Sequence, residues 1–389
     1  MINKNKDKGI TLVALVITII ILLILATISI QLLTNTGLFK NAKKAKDETQ
    51  NAAENQAKTL NEYENELDKY ISGNKIKVKK VEDNIGSVLS TTDNTELQDA
   101  YGNKIIVPAG FKIVSDSTTS NAQTVDKGIV VEDATVDSEG NATVTSGSQF
   151  VWIPIGKIYT DVAKTDANAK TIELNRYTFD SNGKPTAQGE KVVETYYSET
   201  ASKGNTVAKD INAFKTSATT NGGYYIGRYE ARTTTKRTAA GNALTQITEK
   251  GTDQVYNYVT QLQAAQLAQS MYNSNKFTSD LMNSYAWDTA TLFLQTCGTD
   301  AKYSIKKPVS TILSQTGTNT QNTKDVQCNI YDMASNIREW TTGTSNYPNI
   351  PCVSRGGGYN YSTFYTSIRN YGDTSYSYNY LGFRPILYL

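Results

Sequence analysis

Seven tyrosines fall within the 22 positions from Tyr359 to Tyr380, among serines, threonines and asparagines. A tyrosine offers a large rigid ring and a hydrogen-bonding hydroxyl group at low entropic cost, and small polar residues add adaptable hydrogen bonds. This composition is typical of surfaces that bind other molecules; a tyrosine-rich outer sheet or loop without a ligand is the alternative. We predict that the ligand-binding residues are Tyr359, Asn360, Tyr361, Thr363, Phe364, Tyr365, Asn370, Tyr371, Asp373, Tyr376, Tyr378, Asn379 and Tyr380.

Side chains for the common catalytic reactions are scarce. The chain has no His, which excludes His-dependent triads and His-ligated zinc sites. Cys297, Cys328 and Cys352 have no metal-binding spacing and allow at most one internal disulfide, with three possible pairings. No loop concentrates enough acidic residues to name calcium ligands. We therefore predict no catalytic residue, no metal ligand and no cofactor.

The charge balance restricts the class of partner. Charged residues make up 20% of the chain and the net charge is +2, so the sequence does not favour a nucleic-acid partner or a disordered polyelectrolyte. A length of 389 residues leaves room for roughly two domains of ~150 residues each and an additional anchor or stalk.

An apolar run lies near the amino terminus. No charged residue occurs from Gly9 to Phe39, and Ile10 to Leu33 is a 24-residue run long enough to cross a hydrocarbon core of ~30 Å. Lysines at positions 4, 6 and 8 predict a cytoplasmic tail and an extracellular remainder, although the lysines from Lys40 onward weaken this orientation. We predict a single-pass anchor in the cell membrane, with the carboxyl-terminal domain outside the cell.

The segment from Lys8 to Val16 (KGITLVALV) resembles the type IV prepilin signature of a basic leader, a glycine and an apolar helix. The resemblance implies cleavage after Gly9, which leaves Ile10 as the mature amino terminus. The family usually carries a glutamate where this chain has Ala14, so incorporation into a pilus with other pilin subunits stays open. A plain signal anchor is the alternative.

The pattern of apolar residues changes along the chain. Small or apolar residues from Ala42 to Tyr70 recur at helical spacing and predict a stalk helix that ends at residues 72–74. Short β-prone runs then predict a β-rich region. The predicted strands are Lys104 to Val107, Phe111 to Val114, Gly128 to Val131 and Phe150 to Ile155, with a hairpin around residues 180–183 between Thr171–Phe179 and Lys191–Tyr197. Helical spacing predicts helices over 259–272 and 284–296.

Four landmarks in the second half of the chain resemble the family of the formylglycine-generating enzyme, whose fold is a variant of the C-type lectin fold. They are residues 224–231 (YYIGRYEA), 329–340 (NIYDMASNIREW), 354–359 (SRGGGY) and 381–385 (LGFRP). These enzymes bind copper through a cysteine pair near the arginine-glycine-glycine segment. No cysteine lies between Arg355 and Arg384, so the resemblance implies the fold without the activity.

The tyrosine-rich stretch also resembles the variable region of target proteins of diversity-generating retroelements, which display diversified residues before a terminal glycine-phenylalanine-arginine. This chain has that tripeptide at residues 382–384. The resemblance implies that residues 359–380 form a ligand-binding surface that can vary.

Together these patterns predict an α+β protein with a long transmembrane and stalk helix, a β-rich region and a C-type-lectin-like domain. The predicted segments are a leader at 1–9, the helix at 10–72, the connecting region at 73–149 and the lectin-like domain at 150–389. We expect a membrane-anchored binding protein with an extracellular protein or glycan ligand. A minor pilin or pseudopilin with a structural role in a filament or secretion assembly is the alternative.

Overall fold

The computed structural model describes residues 15–23, seven helical residues between 44 and 59, and the ranges 78–114, 124–189, 210–309, 325–345 and 347–389. Residues Val78–Leu389 form one compact unit. The predicted boundary at residue 150 lies inside this unit, within a single strand that runs from Ala142 to Pro154.

The predicted long amino-terminal helix is contradicted. Among the described residues, no helix is long and apolar enough to cross a membrane. The finding overturns the single-pass anchor and the membrane localisation based on it. Residues 10–14 and 24–33 of the predicted span, and the processing site Gly9–Ile10, lie outside the described residues.

The described chain is instead a mainly β fold with short helices. The helices are α1 (Ile211–Asn221), α2 (Gln261–Gln269) and α3 (Ser284–Cys297), with 3-10 turns at Glu82–Asn84, Val125–Lys127 and Tyr303–Ile305. The strands are β1 (Thr95–Gln98), β2 (Lys104–Val107), β3 (Phe111–Ile113), β4 (Val130–Val136), β5 (Ala142–Pro154), β6 (Gly156–Ile158), β7 (Lys170–Ile172), β8 (Tyr177–Phe179), β9 (Pro185–Ala187), β10 (Gly223–Gly227), β11 (Arg232–Thr233), β12 (Gln254–Val255), β13 (Thr278–Leu281), β14 (Val326–Gln327), β15 (Ile330–Tyr331), β16 (Arg338–Thr344), β17 (Cys352–Arg355), β18 (Arg369–Gly372), β19 (Leu381–Phe383) and β20 (Pro385–Tyr388).

The larger sheet has six antiparallel strands in the order β13-β20-β10-β5-β4-β3. Strand β5 lies inside it, with Trp152 opposite Tyr225 of β10 and Val151 opposite Val130 of β4. Residues 150–153 are completely buried, which is why they form a continuous apolar run rather than an alternating one.

The smaller sheet carries the tyrosine-rich stretch. Its order is β18-β17-β16-β19, with β16 and β19 parallel and the other pairs antiparallel. Trp340 of β16 lies opposite Phe383 of β19, and both are buried. The Trp340 Nε1 group donates a hydrogen bond of 2.9 Å to Val259 O, so the indole satisfies its polar atom inside the core.

Both predicted helices are present, as α2 and α3. Thr260 and Gln263 form a capping box at the start of α2, and Asn283 caps α3. The sequence did not predict α1, because only Phe214 and Ala218 of this helix are buried and two positions do not make a readable stripe.

The predicted strands are present with shifted ends. Strand β2 has its predicted bounds, β3 ends one residue early, and β4 and β5 are longer than predicted. The predicted hairpin turn at 180–183 joins β8 to β9, with Tyr177 opposite Ala187. The second predicted arm of this hairpin, 191–197, lies outside the described residues.

Candidate functional site

The predicted ligand-binding residues lie in the turns on both sides of β18 and in β18 itself, and none of them is buried. Tyr361 is 48% exposed and Tyr378 is 40% exposed. Thr363 is also exposed, while the remaining residues are half-buried. The tyrosines therefore do not fill the core, although Tyr376 and Tyr380 pack against it with part of their rings.

Five aromatic rings in this stretch form two contacting groups. Phe364 stacks on Tyr361 with ring centroids 4.8 Å apart and planes at 11°. Tyr380 stacks on Tyr378 at 5.1 Å and 19°, and Tyr378 meets the edge of Tyr376 at 5.2 Å. We call Phe364, Tyr361, Tyr380, Tyr378 and Tyr376 the aromatic row.

Arg338, at the start of β16, joins the two groups. Its guanidinium carbon lies 4.8 Å from the centroid of the Tyr380 ring and 5.4 Å from the centroids of Tyr361 and Phe364. A guanidinium at these distances is attracted to the negative face of each ring. Reasoning from the sequence did not identify this residue as part of the surface, because it lies more than 20 positions before the aromatic row.

The electrostatic setting of Arg338 is unusual. The residue is only 5% exposed, and its Nε atom is buried without a hydrogen-bond partner. Burial lowers the pKa of its guanidinium below the usual value, while Tyr380 opposes this effect. Burial likewise raises the pKa of the Tyr380 hydroxyl. Arg338 is therefore a buried cation whose neighbours are the faces of three rings and the hydroxyl group of Tyr380.

Tyr359 and Asn379 line a cavity of about 150 Å³ beside the aromatic row. Burial raises the pKa of the Tyr359 hydroxyl, and the ring packs on Val255 and Ile337. The sequence prediction missed the other polar residues of this cavity, since they belong to a segment far from the tyrosines. They are Lys236, Arg237, Thr238, Asn257 and Tyr258.

Asn257 and Arg237 hold the wall of this cavity in place. Asn257 donates from Nδ2 to Asn379 O at 3.0 Å. Arg237 donates to the carbonyl oxygens of residues 242, 243, 257 and 258 at 2.7–3.1 Å. These bonds fix the loop opposite the tyrosine-rich stretch.

Other predicted binding residues have local structural roles. Tyr371 meets the edge of the Tyr347 ring at 5.7 Å. Asp373 accepts hydrogen bonds from the Ser375 backbone at 2.8 Å and from its hydroxyl at 2.7 Å, which closes a turn. Asn370 lies opposite Ser354 in the sheet. The structure therefore brings the predicted residues together on one connected segment, but only the aromatic row makes continuous ring contacts within it.

The middle of the segment is attached to the interior. Trp287 of α3 donates from Nε1 to Thr366 O at 2.9 Å. The backbone amides of Thr366 and Ser367 donate to Lys306 O and Ser304 O at 3.1 and 2.9 Å. Two amides and one carbonyl thus hold this part of the chain beneath the exposed rings.

Asp288 of α3 accepts two arginines from the smaller sheet. Arg369 Nη2 lies 2.5 Å from Asp288 Oδ2, and Arg355 binds the other carboxylate oxygen. The Tyr177 backbone amide also donates to this carboxylate at 2.9 Å. Because Arg369 belongs to the tyrosine-rich stretch, the charged contact fixes β18 to the helix.

A second buried pair joins the larger and smaller sheets. Arg384 binds the two carboxylate oxygens of Glu339 at 3.1 and 2.7 Å and donates to Gly227 O at 2.8 Å. Although burial acts to lower it, the charge of Glu339 holds the pKa of Arg384 above its usual value. Two parallel bonds of this kind give a fixed geometry, so we assign both residues to the scaffold.

The glycines before the stretch allow close packing. Gly356 has φ of +79°, and a Cβ there would lie 2.6 Å from Met333 O. A Cβ at Gly357 would overlap Ala334 O. Only glycine fits this approach between two backbone segments.

No disulfide joins the three cysteines, all of which the structure describes. Burial raises the pKa of the Cys297 thiol to about 12, which disfavours the reactive thiolate. Within the described ranges, no group of three or more Cys, Asp or Glu side chains is arranged to hold a metal ion.

No protein-family model and no curated protein sequence matches the chain. Among solved structures, Treponema denticola variable protein 1 is similar with a TM-score of 0.35 and 14% identity, over 64% of this chain and 98% of that chain. CarF is similar with a TM-score of 0.26 and 13% identity, over 35% of this chain and 68% of that chain. Both TM-scores are too low to establish a shared fold. The resemblances to type IV prepilins and to the formylglycine-generating enzyme stay predictions.

Proposed function

We propose that this chain is a binding protein whose aromatic row contacts a protein ligand. The observation that carries the proposal is that five aromatic rings form two contacting groups beside a buried arginine. Tyr361 and Tyr378 are exposed, and the other three rings are half-buried. Exposed aromatic groups of this extent mark interaction sites in soluble proteins, because they would otherwise cost solvation free energy and promote aggregation.

The composition of the row favours binding strength with low entropic cost. Tyrosine and phenylalanine have two side-chain torsions each, and their stacking restricts both before a ligand arrives. Thr363 precedes Phe364 and is exposed, which makes its hydroxyl group available for adaptable hydrogen bonds. Protein-binding loops of antibodies combine the same residue types.

A protein ligand fits this surface better than a small molecule. Small-molecule sites are concave and bury most of the ligand, whereas none of the five rings lines the 150 Å³ cavity beside them. The rings therefore offer a face to the ligand. A glycan that stacks on Tyr361 or Tyr378 is the alternative outcome that the experiment must distinguish.

The test is selection of a random-peptide display library on the folded chain, followed by affinity measurement with the selected peptides. We expect the Tyr361→Ala and Tyr378→Ala variants each to weaken binding about 10-fold or more, which corresponds to ~1.4 kcal/mol. Val136→Ala and Val144→Ala are matched controls, because these side chains are 41% and 43% exposed but lie on β4 and β5. Equal loss in the control variants, or an array of glycans that binds where no peptide does, contradicts the proposal.

We also propose that residues 359–380 are diversified by a retroelement. Its support is that none of the predicted binding residues is buried and only Tyr376 and Tyr380 among them pack against the main core, while Phe383 just beyond them is fully buried. The DNA beyond the 3′ end of the gene tests this proposal. A near-copy of the tyrosine-rich stretch and a reverse transcriptase gene are expected there, and their absence contradicts it.

The alternative of a minor pilin rests on residues around Gly9 and Ile10, which lie outside the described residues. No observation in the described ranges favours it.

A further inference from the structure

We infer that the ligand of the aromatic row is a protein segment that presents an aspartate or glutamate carboxylate to Arg338. The inference rests on the proposed function and specifies the chemistry of the partner. Arg338 is a buried cation whose immediate neighbours are aromatic rings.

The other buried arginines of the described chain have oxygen acceptors for their guanidinium groups. Arg228 and Arg232 lie over the ring of Tyr229, but they also donate to Gln149 Oε1 and Asp253 O. Arg384 binds the carboxylate of Glu339, Arg355 binds the carboxylate of Asp288, and Arg237 donates to four backbone carbonyl oxygens. Each has oxygen acceptors, as expected, because burying a charge is costly unless it is paired and hydrogen-bonded.

Arg338 is different. No carboxylate among the described residues lies within ion-pair distance of it, and its nearest neighbours are the rings of Tyr380, Tyr361 and Phe364. The side chain is 95% buried, and its Nε atom has no hydrogen-bond acceptor. The Tyr380 hydroxyl group is a side-chain hydrogen-bond partner of the guanidinium. The ring faces attract the cation, but they do not provide the further oxygen acceptors that its five N–H groups require. The electrostatic complement of Arg338 is thus incomplete in this chain.

The geometry also indicates what a ligand can reach. Because the Nε atom of Arg338 is buried, only its two terminal Nη groups can donate hydrogen bonds to a ligand. Two parallel N–H donors match the two oxygens of a carboxylate, which arginine binds more strongly and with more defined geometry than lysine does. The flanking rings would exclude water from this pair and would pack against apolar groups beside the carboxylate.

A protein carboxylate fits better than an acidic sugar, because the five rings form a face and do not line the adjacent cavity. We therefore expect an acidic side chain next to apolar or aromatic residues in the ligand. An acidic glycan is the competing outcome.

Selection of the random-peptide display library on the wild-type chain and on the Arg338→Met variant tests the inference. We expect wild-type selections to enrich an aspartate or glutamate at one position, and selections on the variant to lose that enrichment. Peptides selected on the wild type should bind Arg338→Met on the order of 30-fold more weakly, the usual loss when one partner of a buried charge pair is truncated. Raised salt should weaken wild-type binding more than binding to the variant.

Two further variants keep the test decisive. Arg338→Lys keeps the charge but loses the planar fork, so it should retain a weaker acidic preference even if Arg338→Met folds poorly. Lys104→Met is the matched control, because it removes one positive charge from the exposed pair with Glu96 on β2 and β1, and it should leave binding unchanged.

The outcomes separate this inference from the proposed function. Peptides that depend on Tyr361 and Tyr378 but carry no acidic residue, or that bind Arg338→Met equally well, overturn the carboxylate inference and leave the binding function standing. If no peptide is enriched and acidic glycans bind instead, both the protein-ligand proposal and this inference are overturned.

Discussion

The buried arginines of the core and the buried arginine beside the aromatic row have different neighbours. In the interior, Arg384 and Arg355 bind carboxylates that are themselves buried. In the aromatic row, Arg338 lies among three rings and has no such partner in the described chain. Both regions belong to the same small sheet, since Arg338 and Glu339 are consecutive residues of β16.

Carboxylates of the described chain pair with Arg384 and Arg355, whereas none of them pairs with Arg338. A buried pair fixes the geometry between packed elements, whereas an incompletely paired cation costs stability in the unbound protein. Four predictions test the comparison, from the largest expected effect to the smallest.

The largest loss of stability is expected for the Glu339→Gln variant. It leaves Arg384 buried without its carboxylate, and loss of one partner from a buried pair typically costs ~3 to 5 kcal/mol of unfolding free energy. Chemical denaturation measures this loss. The control is Glu96→Gln, an exposed partner of Lys104, for which a change of at most ~1 kcal/mol is expected. Similar losses in the two variants would show that the interior pair is not special.

The second prediction concerns Glu249, a buried carboxyl group without a hydrogen-bond partner in the described structure. Both carboxyl oxygens are buried and unpartnered, and burial raises the pKa of Glu249 well above 4.5, although Arg384 opposes this effect. The folded state therefore keeps the proton at pH values where the unfolded chain has lost it. The resulting stability is complete below about pH 4.5 and is lost as the pH rises through the pKa of the folded state.

We expect the unfolding free energy of the wild type to decrease with rising pH in this window relative to Glu249→Gln, by up to ~1.4 kcal/mol per pH unit. Denaturation curves at a series of pH values from acidic to neutral measure the difference between the two proteins. Parallel pH dependence would mean that Glu249 is ionised in the folded state.

The Arg338→Met variant tests how much the buried cation beside the aromatic row contributes to stability. An apolar side chain of similar length removes the desolvation cost of the cation together with its attraction to the rings, so we expect the unfolding free energy to change by less than ~1 kcal/mol or to increase. Thermal and chemical denaturation measure this change. A loss as large as that in Glu339→Gln would assign Arg338 to the scaffold.

A similarly small effect is expected for Tyr378→Ala. This ring is 40% exposed and contacts Tyr376 and Tyr380, so its removal should cost only ~0.5 to 1.5 kcal/mol of unfolding free energy. A calorimetric melt compared with that of the wild type checks it. A larger loss would indicate that the row supports the fold and is not mainly available to a ligand.

Much of the local structure was readable from the sequence. The apolar spacing predicted α2 and α3, and short β-prone runs predicted β2 to β5, because these patterns act over a few neighbouring residues. None of the seven tyrosines from Tyr359 to Tyr380 is buried, but only Tyr361 and Tyr378 are exposed. The long amino-terminal helix was predicted from hydrophobicity over 24 residues, but no helix among the described residues is long and apolar enough to cross a membrane.

The remaining parts of the site depend on long-range pairing. Arg338 reaches Tyr361 and Tyr380 because β16 lies beside β19 in parallel, and no short-range pattern specifies that neighbour. Asn257 is held at the cavity by a hydrogen bond to Asn379, which is distant in the sequence. Arg237 is held there by a hydrogen bond to Asn257 O in an irregular loop. A single sequence contains the residues of such a site but not their pairing.

The attachment of residues 366 and 367 to the interior has a kinetic consequence. Since the backbone there is already immobilised in the folded chain, a partner would not need to order it during association. Complex formation should then proceed at the rates of ordinary rigid docking, ~10⁵ to 10⁷ M⁻¹s⁻¹. Replacement of exposed rings should alter residence time far more than encounter rate, so ligand choice can change while the approach to the surface stays the same.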